Sequence, residues 1–238
     1  VAAPKGLFSY GGASFFAPLV SSGLNVAVES AYPGFDLRYT KPLNQDFSYA
    51  NGINMLIEGE LSFAFNGRPL TDAEYSKAKL RNISLMQVPI FIDGIVIFGN
   101  QNTSVSKLNR HQVSQIFQGK ITNWNQIDEK SQDLPIVPVL IDVENFQMLG
   151  IKDEQIAKST QYAPNYTQAL RKVIGTPGAI SFASASLVEN QKLIKKFWLA
   201  EGNTKKYIPP SIDHLPNMKA FKDGSYPLTR RLYLAYRE

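Results

Sequence analysis

The stretch "LMQVPIFIDGIVIFGN" (85–100) is the longest apolar run in the chain, and its reading decides the fold. It is not one helix, because Pro89 inside it would remove a hydrogen bond and clash with the preceding turn. Asp93-Gly94 adds a second interruption of the kind found in turns. The run therefore reads as two successive strands, or as one long bent strand crossing between two lobes. It is also short of the roughly 18 residues that a membrane span requires.

On either side of this run, strand-like and helix-like segments alternate, the pattern of an α/β protein. Upstream, "GLFSY" (6–10) reads as a strand and residues 16–30 as a helix with Pro18 in its first turn, where a missing N–H costs nothing. "FDLRYT" (35–40) alternates as a half-buried strand does. Residues 50–60 form a short helix stopped by Gly59, and the strand "LSFAF" (61–65) follows. Thr71-Asp72-Ala73-Glu74 is a capping box that opens a polar helix. Downstream, Leu108 to Gln118 is an amphipathic helix that Asn109 can cap, with Gln112 three residues on and Gly119 to end it. "LPIVPVLI" (134–141) carries two prolines and reads as an edge strand or a short piece. Thr167 to Ile174 is a helix. "GAISFAS" (178–184) and "KKFWLA" (195–200) are strands. Residues 205–217 are irregular, "NMKAFKDG" is a last helix and "TRRLYLAYRE" a last strand.

The bulk numbers narrow the function. With 238 residues, the chain can form one large domain or two lobes. A net charge of +5, with no run of five Lys or Arg, reads first as solubility and only weakly as a pointer to an anion. The "KLIKKF" run (192–197) is a solvated face rather than a nucleic-acid patch. There is no cysteine, which excludes disulfides, thiolate nucleophiles and Cys-ligated zinc. The opening "VAAPKG" lacks Met and resembles what a removed signal or linker leaves behind. His111 and His214 are isolated and read as surface residues. No pair of residues stands at metal spacing. Gly-x-Ser-x-Gly fails at Phe16, and there is no P-loop, so no catalytic constellation is present. Trp124 reads as packing, and Arg230-Arg231 as part of an ion pair.

One motif points to chemistry. In "SYGGASFFAPLVSS" (9–22), two glycines and two small residues run straight into an apolar helix. Glycine lets a backbone come close to a ligand. A helix start exposes unpaired N–H groups and the positive end of its dipole, which together favour an anion.

Six blocks in order carry a resemblance to a known family. They are "GGASFFAPL" (11–19), "ANGINMLIEGELSFAFNGRPL" (50–70), "VPIFIDGIVIFGN" (88–100), "LNRHQVSQIFQGKITNWNQI" (108–127), "TQALRKVIGTPGAISFASASLV" (167–188) and "FKDGSYPLTRRLYL" (221–234). The chain resembles the periplasmic phosphate-binding proteins of ABC transporters, in the form found in cyanobacteria. The resemblance implies a class II periplasmic-binding-protein fold, α/β throughout, with two lobes joined by crossover strands and a cleft between them. Lobe one would span 1–88 plus 189–238, and lobe two 89–188.

The resemblance also implies where a ligand would sit. In the first block Ser14 keeps a hydroxyl and Phe15 offers its backbone N–H. In the second, the family's small hydroxyl residue falls on Tyr49 or Ala50, depending on the register, with Asn51 beside them. The family's acceptor Asp aligns with Gly67, next to Asn66, and Arg68 brings a positive charge. In lobe two the family's Gly-Ser-Gly-Thr loop is replaced by "IDVENFQMLGIKDEQ" (141–155), which places Asp142 and Glu144 there. Tight phosphate binding of the family's usual kind is therefore not expected. What remains is an extracytoplasmic or periplasmic solute-binding protein, monomeric, with no cofactor, that holds a small ligand, an oxyanion among the candidates. Its partner would be an ABC permease, or a receptor or kinase of which this is the sensor domain. The alternative is a sensor or protein-interaction domain that kept the fold and lost the ligand.

Overall fold

A computed structural model of the chain describes residues 3–13, 16–44, 48–141 and 149–238. In chain order the elements are β1 (Gly6–Gly12), α1 (Ala17–Ser21), α2 (Leu24–Ala31), β2 (Phe35–Tyr39), α3 (Tyr49–Glu58), β3 (Phe63–Asn66), α4 (Asp72–Lys79) and β4 (Leu85–Asn100). Then come β5 (Lys107–Asn109), α5 (Arg110–Phe117), β6 (Val137–Ile141), β7 (Gln161–Ala163), α6 (Tyr166–Gly175), β8 (Ala179–Ser184) and α7 (Ala185–Val188). The chain closes with β9 (Ile194–Lys196), β10 (Trp198–Ala200), β11 (Ser211–Ile212), β12 (Leu215–Pro216), α8 (Met218–Asp223) and β13 (Thr229–Arg237).

The run at 85–100 is one strand of 16 residues. The chain packs as two units, Val1–Phe91 with Arg231–Glu238, and Ile92–Arg230. Strands β4 and β13 are the two chain segments that pass from one unit to the other. The segment 189–230, expected with the first lobe, packs with the second unit. Its apolar side chains explain why, since Ile194, Phe197, Leu199, Phe221, Tyr226 and Leu228 all belong to that unit's core.

In the first unit, β1 runs parallel to β2 and β3, and β13 lies antiparallel to β3. Successive side chains of a strand point to opposite faces. Tyr10, Phe65 and Leu232 accordingly pack with Phe16 on one face of this sheet. Ala64 and Ala235 face the other way, under Ile53 and Leu56 of α3. The helix expected over 16–30 is two, because Gly23 stands in the left-handed region (φ 97) and separates α1 from α2.

In the second unit, β8 is antiparallel to β4, and β6 is parallel to both β8 and β7. The stretch 134–141 is short, as expected, but it is flanked on both sides rather than lying at an edge. Pro138 is tolerated because the pairing with β8 ends there and the pairing with β7 begins at Val139. The strand expected at 195–200 splits at Phe197 into β9, beside β4, and β10, beside β5. Trp124 is fully buried, stacks on Phe197 and donates its Nε1–H to the Gly178 carbonyl at 3.1 Å. Asp93 and Arg230 form a buried ion pair at 3.0 Å, and the Ser184 hydroxyl donates to the other Asp93 oxygen at 2.6 Å. Arg230 is thus part of an ion pair, as its sequence suggested. His111 and His214 are both exposed.

Candidate functional site

The site builds up from the first unit's parallel strands. β1 and β3 end side by side, with Gly12 opposite Phe65, and the N-terminus of α3 lies against that edge. Two glycines make the approach possible. A methyl group on Gly12, at φ 101, would come within 2.3 Å of the Phe65 carbonyl oxygen. One on Gly52, in the first turns of α3, would come within 2.8 Å of the Gly12 Cα. Neither obstacle is a side chain that could swing aside, so the backbone packing itself selects glycine. In open α/β sheets the carboxyl ends of parallel strands are where ligands bind.

The first turn of α3 supplies donors. Ser48 caps it, its hydroxyl accepting from the Asn51 N–H at 3.2 Å. The Asn51 side-chain amide donates to Asn44 Oδ1 at 3.3 Å. The amide of Ala50, second in the helix, has no carbonyl of its own helix to reach. Asn66 supplies an acceptor at the end of β3. It is fully buried, and its Nδ2 donates to the Arg68 carbonyl at 2.6 Å, which fixes which end of the amide is oxygen. Its Oδ1 is shut from solvent and has no hydrogen-bond partner. A buried acceptor left unpaired costs about 1–3 kcal/mol.

Arg68 is held elsewhere. Its guanidinium grips Glu74 with two bonds, Nη1 to Oε2 and Nη2 to Oε1, both at 2.9 Å. It also donates to the Pro69 carbonyl at 3.1 Å and lies 5.9 Å from the centre of the Tyr49 ring. Glu74 closes the capping box of α4, accepting from the Thr71 N–H at 2.8 Å. Burial pushes the Glu74 carboxyl up, but the bonds from Arg68 and the Thr71 amide outweigh it and hold the group below its ordinary range. The positive charge of Arg68 is thereby met within α4.

Of the residues singled out in the sequence, Ala50, Asn51, Asn66, Gly67 and Arg68 fall in one neighbourhood of the first unit. Ser14, Phe15 and Asp142 lie outside the described residues. Two contributors were not anticipated. Gly52 completes the close approach that Gly12 begins, and Glu74 takes the charge of Arg68. The signal for Glu74 was present, since it ends the Thr71 capping box six residues after Arg68. Among the described residues no cluster of His, Asp or Glu could hold a metal ion, and no helix is long and apolar enough to cross a membrane.

The chain thus forms two units of mixed α/β structure, linked by two strands. A family model described as a PBP superfamily domain matches residues 2–238, and the chain belongs to that superfamily of periplasmic binding proteins. Among curated proteins it is similar to the phosphate-binding protein PstS of Staphylococcus aureus strains RF122 / ET3-1 and USA300, at 25% identity over 198 residues. That match takes in 79% of this chain and 57% of the relative, so the chain spans little more than half the length of the curated relatives it matches. Among solved structures it is similar to one from Clostridium perfringens, assigned to phosphate ABC transport and solved with phosphate bound. The TM-score is 0.76 at 21% identity, over 98% of this chain and 87% of that one. An ABC-type phosphate transport receptor from Vibrio cholerae gives 0.70 at 20% identity, over 97% and 87%. The fold is that of the phosphate-binding proteins of ABC transporters, two α/β lobes joined by crossover strands.

Proposed function

We propose that this chain is an extracytoplasmic solute-binding module that takes a small oxyanion at the start of α3, and hands it to a permease or reports it to a receptor. The observation that carries this reading is the pairing of a helix N-terminus with the unpartnered Oδ1 of Asn66 at the same strand edge. Amides attract an oxyanion. An acceptor without a partner favours an anion that still has a proton to give. Hydrogen phosphate has one at neutral pH and sulfate does not, so the neutral Asn66 amide would take the discriminating part that an Asp takes in the family. The relatives' names, which specify phosphate, support the same ligand class. A neutral acceptor, and an Arg68 already committed to Glu74, leave fewer charge-assisted bonds than a tight site uses. Affinity would accordingly be modest.

Calorimetric titration with phosphate, sulfate and small carboxylates, with thermal shift as a control, tests the proposal. Phosphate should release measurable heat, and at a hundred times its dissociation constant it should stabilise the protein by about 2.7 kcal/mol. Asn66→Ala should weaken phosphate binding by about ten-fold while leaving any sulfate binding unchanged.

A second reading has its own observation. Tyr49 is buried at the first position of α3, where the resemblance calls for a small hydroxyl residue, and its ring faces Arg68. A filled position suits a domain that kept the fold and turned to protein contacts. Absence of heat and of thermal shift with every anion tried would favour this reading and sink the first.

A further inference from the structure

Within residues 205–223, which are anchored to the second unit by the Ile208–Leu199 bridge and by buried Ala220 and Phe221, a hairpin at 211–216 stands exposed and no ligand-binding role absorbs it. Strands β11 and β12 pair only with each other, Ile212 opposite Leu215. The turn between them is Asp213-His214, both residues in the left-handed region at φ 51 and φ 64. Two such residues give the tight turn whose twist matches a paired hairpin. Its stem is tied shut from one buried side chain. Asn217 donates its backbone N–H to the Pro210 carbonyl and its Nδ2 to the Pro209 carbonyl, both at 2.9 Å, while its Oδ1 accepts from Ala220 N–H at the start of α8. The hairpin is thus a fixed projection.

What it projects is apolar. Ile212 and Leu215 are 52% and 63% exposed, and Met218, which opens α8, is 45% exposed. Directly opposed strand residues share a face, so the two aliphatic side chains stand together. Lys205, Lys206, Lys219 and Lys222 flank them, all exposed, against only Asp213 and Asp223 in the same stretch, and Asp223 pairs with Lys219 at 3.0 Å. Exposed apolar side chains on a rigid turn, with four exposed lysines in the same stretch of chain, match a surface with an apolar layer beneath negative charge.

We infer that the 211–216 hairpin docks this domain on an anionic phospholipid surface, Ile212 and Leu215 entering the interface and the lysines of the same stretch meeting lipid phosphates. Co-sedimentation with vesicles tests it. One set holds equal parts phosphatidylglycerol and phosphatidylcholine, the other phosphatidylcholine alone. At low salt at least ten-fold more protein should sediment with the anionic set, and the difference should collapse at about 0.5 M salt, where surface charges are screened. The Ile212→Ser/Leu215→Ser variant should lose at least ten-fold of that binding with its unfolding midpoint unchanged. Replacing the four lysines with Gln should abolish the preference for the anionic set. Equal sedimentation with both vesicle sets, none with either at low salt, or a serine variant that binds as well as the parent would overturn the assignment. Loss of a protein contact by the serine variant, with vesicle binding unaffected, would assign the projection to a protein partner and overturn it as well.

Discussion

Two helices of the first unit begin in opposite ways. The start of α4 is sealed. Thr71 and Glu74 exchange bonds in a capping box, and Arg68 adds its guanidinium to the same carboxylate. The start of α3 is capped by Ser48, lies against the glycine-lined edge of β1, and stands at the strand edge where Asn66 keeps an unpaired oxygen. A start closed by a reciprocal box contributes to stability, whereas one capped by a single serine beside the end of a parallel strand pair is where we place the ligand. The guanidinium of Arg68, which the sequence places near the ligand, pairs with Glu74 at the start of α4.

The comparison can be broken first at the close approach. Gly12→Ala forces a left-handed conformation on an L-residue and drives a methyl into the Phe65 carbonyl, and should cost about 3 kcal/mol. Urea unfolding would read it as a large fall in midpoint. A loss within about 0.5 kcal/mol would mean that β1, β3 and α3 do not pack as described. Next is the sealed start. Arg68→Ala leaves Glu74 buried without its cation and should cost about 2 kcal/mol by the same measurement.

The sign of the pH dependence follows from Glu74. Its folded pKa is depressed, so the unfolded chain binds more protons as the pH falls. Its contribution is complete above the unfolded value of about 4.3 and is lost as the pH drops through the folded one. Stability measured from pH 7 down to pH 3 should fall less steeply in Glu74→Gln than in the parent. Parallel curves would show that the Arg68–Glu74 pair is not what seals α4.

The two caps can then be set against each other. Ser48→Ala should cost about 1 kcal/mol. Thr71→Ala should cost more, because its loss also loosens the carboxylate that Arg68 holds. Equal costs would erase the distinction between the two helix starts. The smallest effect belongs to the far ends of the same helices, where Glu58 on α3 meets Lys77 on α4 and Arg81 beyond it. These groups are largely exposed, so Glu58→Gln should change stability by less than about 0.5 kcal/mol.

Most of the fold could be read from local signals. The capping boxes at Thr71 and Asn109, the left-handed Gly59 at the end of α3 and the apolar run of β4 are each written in a few adjacent residues, and each appears where expected. The misreadings were of two kinds. Gly23 breaks a helix that apolar spacing alone would continue. Phe197 breaks a strand because its neighbours on either side pair with different partners, a tertiary fact. The placement of 189–230 was missed for the same reason, since which core receives Phe221 or Tyr226 depends on contacts far away in sequence.

At the site, the opening glycines were legible as a close approach, but the Phe65 carbonyl that confines Gly12 and the Gly12 backbone that confines Gly52 were not. Arg68 was legible as a charge near the ligand position. That Glu74 would claim it required the geometry of a turn between β3 and α4. Asn66 was singled out only for standing beside Gly67, and nothing in the sequence marks a buried oxygen that lacks a partner.

The central claim is that an oxyanion binds at the start of α3 and not at the start of α4. The direct test is a ¹H–¹⁵N NMR titration of the chain with phosphate. Amide signals of Gly12, Ala13, Ala50 and Asn51, and the side-chain amide of Asn66, should shift together and saturate, while those of Asp72 and Ala73 in α4 stay in place. Shifts confined to α4, or spread evenly over the surface without saturation, would contradict the account.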